Sequence, residues 1–304
     1  MIFFNIKIDG YFYQIFTDLL KMQASPTIFP PIRGYTLYNI LGKGSFGMVV
    51  YATNVSGEEF AIKMMNKEEE ARKEIANLQV LPLHDNIVKF VEAFFESGRY
   101  YIVLEYIEGC SLFSHIKPLL CNPTDTTLMP ILQQMLDALI QIHDAEFVHM
   151  DVKPENFMYE VATGRVVLID FGVSERTGSE RTSPFIGTPF FLAPEVAKTP
   201  EGSVDFSCLD PVPNQPSADV WSIGMLFQWI MTRKFPYKCL KNEISLIIEI
   251  ANLSKTEIVD DLRKNSSPFG LFMLDIVTRC LQIDPQLRPN AQELLTLMRD
   301  YKIP

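Results

Sequence analysis

Apolar and polar positions alternate through the first third of the chain, and helical spacing takes over in the rest. Tyr35 to Leu41 alternates like a strand, Met48 to Ala52 continues as a β-branched run, and Phe60 to Lys63 reads as a third strand. Met65 to Val80 predicts a helix with Ile75, Leu78 and Leu81 as its apolar positions, and strand-like runs follow over Ile87–Phe95 and Tyr100–Glu105. Thr126 to His143 holds the longest helical pattern. There Leu128, Ile131, Leu132, Met135, Leu136, Leu139 and Ile140 recur at intervals of three and four, and Thr126 or Thr127 can cap the start. Further helical stretches fall near 219–232, 241–253, 268–282 and 290–301, and no internal repeat is seen.

Proline marks the breaks. Residues 1–34 form an N-terminal extension that closes on the cluster Pro26 to Pro31, with Ile15, Leu19 and Leu20 able to line a short helix in 11–22. A surface extension, a docking segment and a translation start at Met22 all fit this stretch. Residues 198–218 carry Pro200, Pro211, Pro213 and Pro216 among Glu201, Asp205 and Asp210, the pattern of an inserted surface loop. The loop is either a plain spacer or an acidic element that tunes substrate choice.

Composition narrows the class. At 304 residues, 47% hydrophobic and 21% charged, the chain suits a globular protein of one large domain or two lobes. A formal net charge of -10 argues against nucleic-acid binding. The five cysteines form no Cys-x-x-Cys pair and have no zinc spacing, so free thiols in a reducing compartment are expected. Lys7, Asp9 and Asp18 interrupt the apolar start, leaving neither a run of membrane length nor a signal-peptide core. A soluble cytoplasmic protein is expected, with access to the nucleus left open and no membrane or nucleic-acid partner.

The chemistry is concentrated in Phe147-Val148-His149-Met150-Asp151-Val152-Lys153-Pro154-Glu155-Asn156. Within six residues this places an acid able to orient a hydroxyl, a lysine able to reach a phosphoryl group and an amide able to hold a metal. Fourteen residues after Asn156, Leu168-Ile169-Asp170-Phe171-Gly172 adds a second acid at the end of an apolar run. Gly42-Lys43-Gly44-Ser45-Phe46-Gly47 sits between two strands. A dinucleotide-binding glycine motif has the same spelling but opens a helix, so a strand–turn–strand phosphate loop fits better.

In this order and spacing, the motifs resemble the glycine-rich loop, catalytic loop and metal-binding turn of eukaryotic protein kinases of the serine/threonine type. The resemblance runs from about residue 35 to about 300. It implies an α+β bilobal fold: a small antiparallel sheet lobe with one main helix (35–104), a hinge (105–109) and a larger, mainly helical lobe (110–303). It implies ATP and Mg²⁺ as cofactors and protein Ser/Thr hydroxyls as acceptors. Leu41, Gly42, Lys43, Gly44, Ser45, Phe46, Gly47, Val49, Ala61, Leu104, Glu105, Ile107, Ser111 and Met158 would surround the nucleotide, with the backbone of Glu105 and Ile107 on adenine. Lys63 would hold phosphates and pair with Glu74, although the gap of eleven residues is short and Glu68, Glu69 and Glu70 compete for the lysine. Asp151 and Lys153 would be catalytic, Asn156 and Asp170 would hold the metal, and Thr188 would sit in the substrate segment. His149 would pack on Phe171, Asp219 would brace the catalytic loop, and Arg288 would neutralise Glu195. Met150 stands where many relatives carry Arg, which implies weaker dependence on phosphorylation of the following loop. A catalytically silent kinase-like scaffold is the alternative, and a small-molecule kinase is disfavoured by Thr188 and by Ala193-Pro194-Glu195.

Overall fold

The computed structural model describes residues 29–44, 47–119, 125–180, 187–197, 213–238, 242–253, 259–264 and 267–302. The expected helix in 11–22, Ser45 and Phe46 at the glycine turn, and most of the expected loop 198–218 lie outside the described residues.

Five antiparallel strands form the small lobe: β1 (Thr36–Gly44), β2 (Gly47–Thr53), β3 (Glu59–Met65), β4 (Phe90–Glu96) and β5 (Arg99–Glu105), in the order β1-β2-β3-β5-β4. Alternation along β3 sorts its side chains. Ile62 and Met64 enter a cluster with Leu37, Val50, Phe94 and Val103 on one face, while Met65 joins the main core on the other with Ile102. Lys63 pairs with Ile102 across the ladder and shares that second face. Residues 29–34, outside the sequence-derived domain, pack on the first cluster. Ile32 and Tyr35 exchange backbone bonds around Arg33 and Gly34, whose φ values of 44° and 83° suit a tight primed turn. The Tyr35 hydroxyl then donates to Glu92 at 2.7 Å.

Helix α1 (Glu68–Val80) begins three residues later than the sequence pattern suggests, because Met64 and Met65 complete the β3 ladder against Tyr101 and Tyr100. Its first turn is acidic, which its dipole favours. Glu68 binds Arg72 and Glu70 binds Lys67, so neither reaches Lys63. Ala71, Glu74, Asn77 and Leu78 share the buried face. The run expected as one strand from Ile87 divides. Ile87 bridges Leu168 of the large lobe, and β4 starts only at Phe90. Leu168 N donates to Asn86 O at 2.8 Å, Val88 N donates to Leu168 O at 3.0 Å, and the Asn86 amide reaches Val166 O at 2.7 Å.

The large lobe opens with β6 (Gly109–Ser111) and α2 (Leu112–Leu119). The long α3 (Asp125–Asp144) starts at Asp125, so Thr126 and Thr127 lie in its first turn rather than at the cap. It leads into β7 (Phe147–Val148), β8 (Phe157–Glu160), β9 (Val166–Leu168) and β10 (Glu175–Arg176). β6 pairs with β8 and β8 with β9, while β7 pairs with β10. Then come α4 (Pro194–Ala197), α5 (Pro216–Thr232), α6 (Glu243–Ala251), α7 (Pro268–Cys280) and α8 (Ala291–Asp300). Pro216 takes the first turn of α5, where its missing N–H costs nothing, so the helix takes in residues 216–218 of the expected loop. Trp221, Ile223, Leu226 and Phe227 are fully buried in α5, which forms the centre of the lobe.

Candidate active site

β3 carries Lys63 and α1 carries Glu74 towards each other. Lys63 Nζ donates to both Glu74 oxygens at 2.6 and 2.7 Å and to Asp170 Oδ1 at 2.9 Å. Lys63 is 7% exposed and Glu74 is 1% exposed. Burial alone would lower the lysine pKa, but the carboxylates of Asp170 and Glu74 outweigh it and raise it. Burial likewise opposes the Asp170 anion, yet Lys63 holds this carboxyl below its ordinary value. Burial pushes Glu74 upward against the pull of the same lysine.

A second cluster gathers around Asp151. Lys153 Nζ donates to Asp151 Oδ2 at 2.6 Å and to the Thr188 hydroxyl oxygen at 2.9 Å, and that hydroxyl donates to Asp151 Oδ1 at 2.8 Å. Asn156 Nδ2 donates to the Asp151 carbonyl at 2.8 Å and to Oδ2 at 3.0 Å. Thr188 can come this close because Gly187 has φ 98°. A Cβ there would also stand 2.4 Å from the Met150 carbonyl oxygen.

The loop is held from below. Buried Asp219 accepts from His149 N at 2.7 Å and Met150 N at 2.9 Å, and lies 3.0 Å from His143 Nε2. His149 meets the Phe171 ring edge to face, with centroids 5.2 Å apart. Met150 and Asp170 both take left-handed backbone, with φ of 68° and 64°. Such strain costs about 1–3 kcal/mol per residue and persists where surrounding bonds over-determine it. Arg288 grips both Glu195 oxygens at 2.6 and 2.7 Å.

The remaining expected residues follow the ladders. Gly42 pairs with Val49, Val49 with Lys63, and Ala61 with Leu104. Leu41, Lys43 and Gly44 lie on exposed β1, and Gly47 opens β2. Ser111 pairs with Met158 across β6 and β8, and its hydroxyl also accepts from Ser114 N at the start of α2. Ile107 is buried, and the Glu105 N–H is committed to the Lys89 carbonyl at 3.0 Å, which leaves only its carbonyl for a ligand. Sequence reasoning missed three residues beside the site. Asn77 donates to the carbonyls of Phe171 at 3.0 Å and Ser174 at 2.9 Å, and Lys73 meets Glu175 at 2.6 Å.

Residues 35–298 match the protein kinase domain. The chain is 26% identical over 284 residues to serine/threonine-protein kinase PAK 1 of Mus musculus, covering 91% of this chain and 48% of that protein. It is 29% identical over 272 residues to serine/threonine-protein kinase sid1 of Schizosaccharomyces pombe, covering 86% of this chain and 53% of that protein. Serine/threonine-protein kinase SMU1 of Mycosarcoma maydis is 28% identical over 288 residues, covering 91% and 35%. The chain belongs to the eukaryotic protein kinase family, serine/threonine type. It spans about half the length, or less, of these curated relatives.

Proposed function

We propose that this chain transfers the γ-phosphate of ATP to Ser and Thr hydroxyls of protein substrates in a Mg²⁺-dependent reaction. The observation that carries the reading is the meeting of two clusters, Lys63–Glu74–Asp170 and Asp151–Lys153–Asn156–Thr188, in one chain. Lys63, held cationic by two carboxylates, is positioned to bind non-transferred phosphates. Asp151, whose carboxylate also accepts from the Thr188 hydroxyl, orients the acceptor hydroxyl and takes its proton. Lys153 lies against the same carboxylate and balances charge on the group in flight.

Asp170, kept anionic, and the amide oxygen of Asn156, whose nitrogen is spent on Asp151, offer a cation two hard oxygen donors. Among the described residues no cluster of three or more His, Cys, Asp or Glu forms a self-sufficient metal cage. Sparse protein ligation suits Mg²⁺, which is completed by phosphates and water. Bound there, the ion would neutralise phosphate charge and hold the leaving oxygens. A cytoplasmic location belongs to the same reading. Among the described residues no helix is long and apolar enough to cross a membrane.

The test is transfer of labelled phosphate from ATP with Mg²⁺ to mixed acceptor proteins by wild type, Asp151→Ala and Asp170→Ala, each checked for folding. Label on Ser and Thr in wild type, falling at least about 10²-fold in both variants, is expected. Nucleotide binding without any transfer would favour the silent scaffold instead.

A further inference from the structure

Helix α1 carries Glu74, and the contact of Glu74 with Lys63 depends on how the helix is rotated. Two side chains on the same face tie it to the stretch after Asp170. Asn77, 8% exposed, binds the Phe171 and Ser174 carbonyls at 3.0 and 2.9 Å. Lys73, one turn earlier, meets Glu175 at 2.6 Å. The Glu175 side chain is 9% exposed and that of Lys73 is 30% exposed, so the pair is shielded but reachable from solvent.

Glu175 is itself a fixed point. It pairs with Val148 across β10 and β7, directly before the catalytic loop. The chain beyond it is fastened as well: Thr177 N donates to Glu146 O at 2.8 Å, and Gly178 N and Asn214 N make backbone bonds between 178–179 and 214. Lys73 therefore ties α1 to the floor of the large lobe.

The Arg176 guanidinium lies 5.0 Å over the Phe147 ring, and Met150 is apolar and buried. The anchoring charge that Lys73 meets on this stretch is a carboxylate of the chain itself.

We infer that Lys73 and Glu175 are positioning residues for phosphate transfer: their ion pair, with Asn77 beside it, holds α1 in the rotation that keeps Glu74 on Lys63. This rests on the kinase reading above and deepens it. Neither residue touches the reacting groups.

The experiment compares wild type with Lys73→Met, Glu175→Gln and the exchanged pair Lys73→Glu/Glu175→Lys, all as the full chain. Backbone hydrogen exchange over residues 68–80 is followed without nucleotide. Transfer from Mg·ATP to the acceptor panel gives kcat and the acceptor KM, and thermal unfolding checks the fold. Both single variants should exchange α1 amides at least about tenfold faster. Their kcat should fall at least about tenfold while acceptor KM stays within about threefold. The exchanged pair should return both measures to within about threefold of wild type. Single variants with wild-type exchange and kcat would overturn the inference. So would an exchanged pair that unfolds at the wild-type temperature yet behaves like the single variants. Should wild type transfer no phosphate, the kinase reading fails, and the exchange rates alone decide whether the clamp exists.

Discussion

Replacing Arg288 by Leu should destabilise the large lobe far more than removing a surface ion pair. The guanidinium donates to Glu195 at 2.6 and 2.7 Å, to Ser217 O at 2.8 Å and to Gln282 O at 2.8 Å. Its side chain is 0% exposed, that of Glu195 is 14% exposed, and it lies 5.0 Å from the Trp221 ring. Leucine leaves one enclosed carboxylate and the carbonyls of Ser217, Gln282 and Ile283 without this donor. Removing one member of such a pair costs about 3–5 kcal/mol, a large share of the ~5–15 kcal/mol that holds a folded domain. At about 2–4 °C per kcal/mol, the melting temperature should drop by roughly 6–20 °C. The control is Arg279→Leu, whose partner Asp275 lies at a similar 2.8 Å, but with both side chains about half exposed at 49% and 54%. That loss should stay below about 0.5 kcal/mol. Urea denaturation would compare the two, with the double variant Arg288→Leu/Glu195→Leu as a third sample. Removing the orphaned charge should recover part of the loss. The reasoning fails if Arg288→Leu falls within about 1 kcal/mol of the control, or if the double variant is as costly as both single losses added.

Three further outcomes follow from described contacts. Asp219→Ala should lower kcat about 10–100-fold and raise hydrogen exchange at His149 and Met150, whose amides it accepts; unchanged exchange would remove its bracing role. Burial pushes the Cys280 thiol up to about 12, so alkylation of native protein near neutral pH should spare it until urea unfolds the lobe, as read by mass spectrometry. Burial and the bond to Glu92 raise Tyr35 from 10.0 to about 12. A raised folded value means that this stability is fully present below pH 10 and is lost as pH rises through about 12. Tyr35→Phe should lack that alkaline loss in denaturation curves and remove one step near pH 12 from ultraviolet difference titration.

Much of the candidate site was legible because the chain spells it contiguously. Asp151, Lys153 and Asn156 fall within one short loop, and Asp170 lies two residues beyond one apolar strand. Lys63 and Glu74 were legible from a strand followed by a helix, although sequence spacing alone left Glu68, Glu69 and Glu70 in competition. Packing decides there: Glu74 lies on the buried face with Ala71 and Asn77, while Glu68 pairs with Arg72 and Glu70 with Lys67. Element boundaries were read less well, because long-range pairing sets them. Met65 fits a helical pattern but is claimed by Tyr100 across the ladder. Ile87 fits a strand leading into β4 but is claimed by Leu168. Lys73 and Glu175 gave no signal at all. A charge on a helix and a charge 102 residues away look solvated until the fold brings them together.

Chain order assigns α1 to the small lobe, yet the turn that follows it is rooted in the large one. Asn86, Ile87 and Val88 are knitted to Val166 and Leu168 by backbone and amide bonds. The helix is thus held at both ends by different bodies: Lys63 on β3 grips Glu74 from the sheet, while Asn77 and the turn beyond the helix grip the large lobe. Any displacement of the sheet relative to the large lobe would load the Lys63–Glu74 pair, because that pair joins the sheet to a helix rooted on the other side.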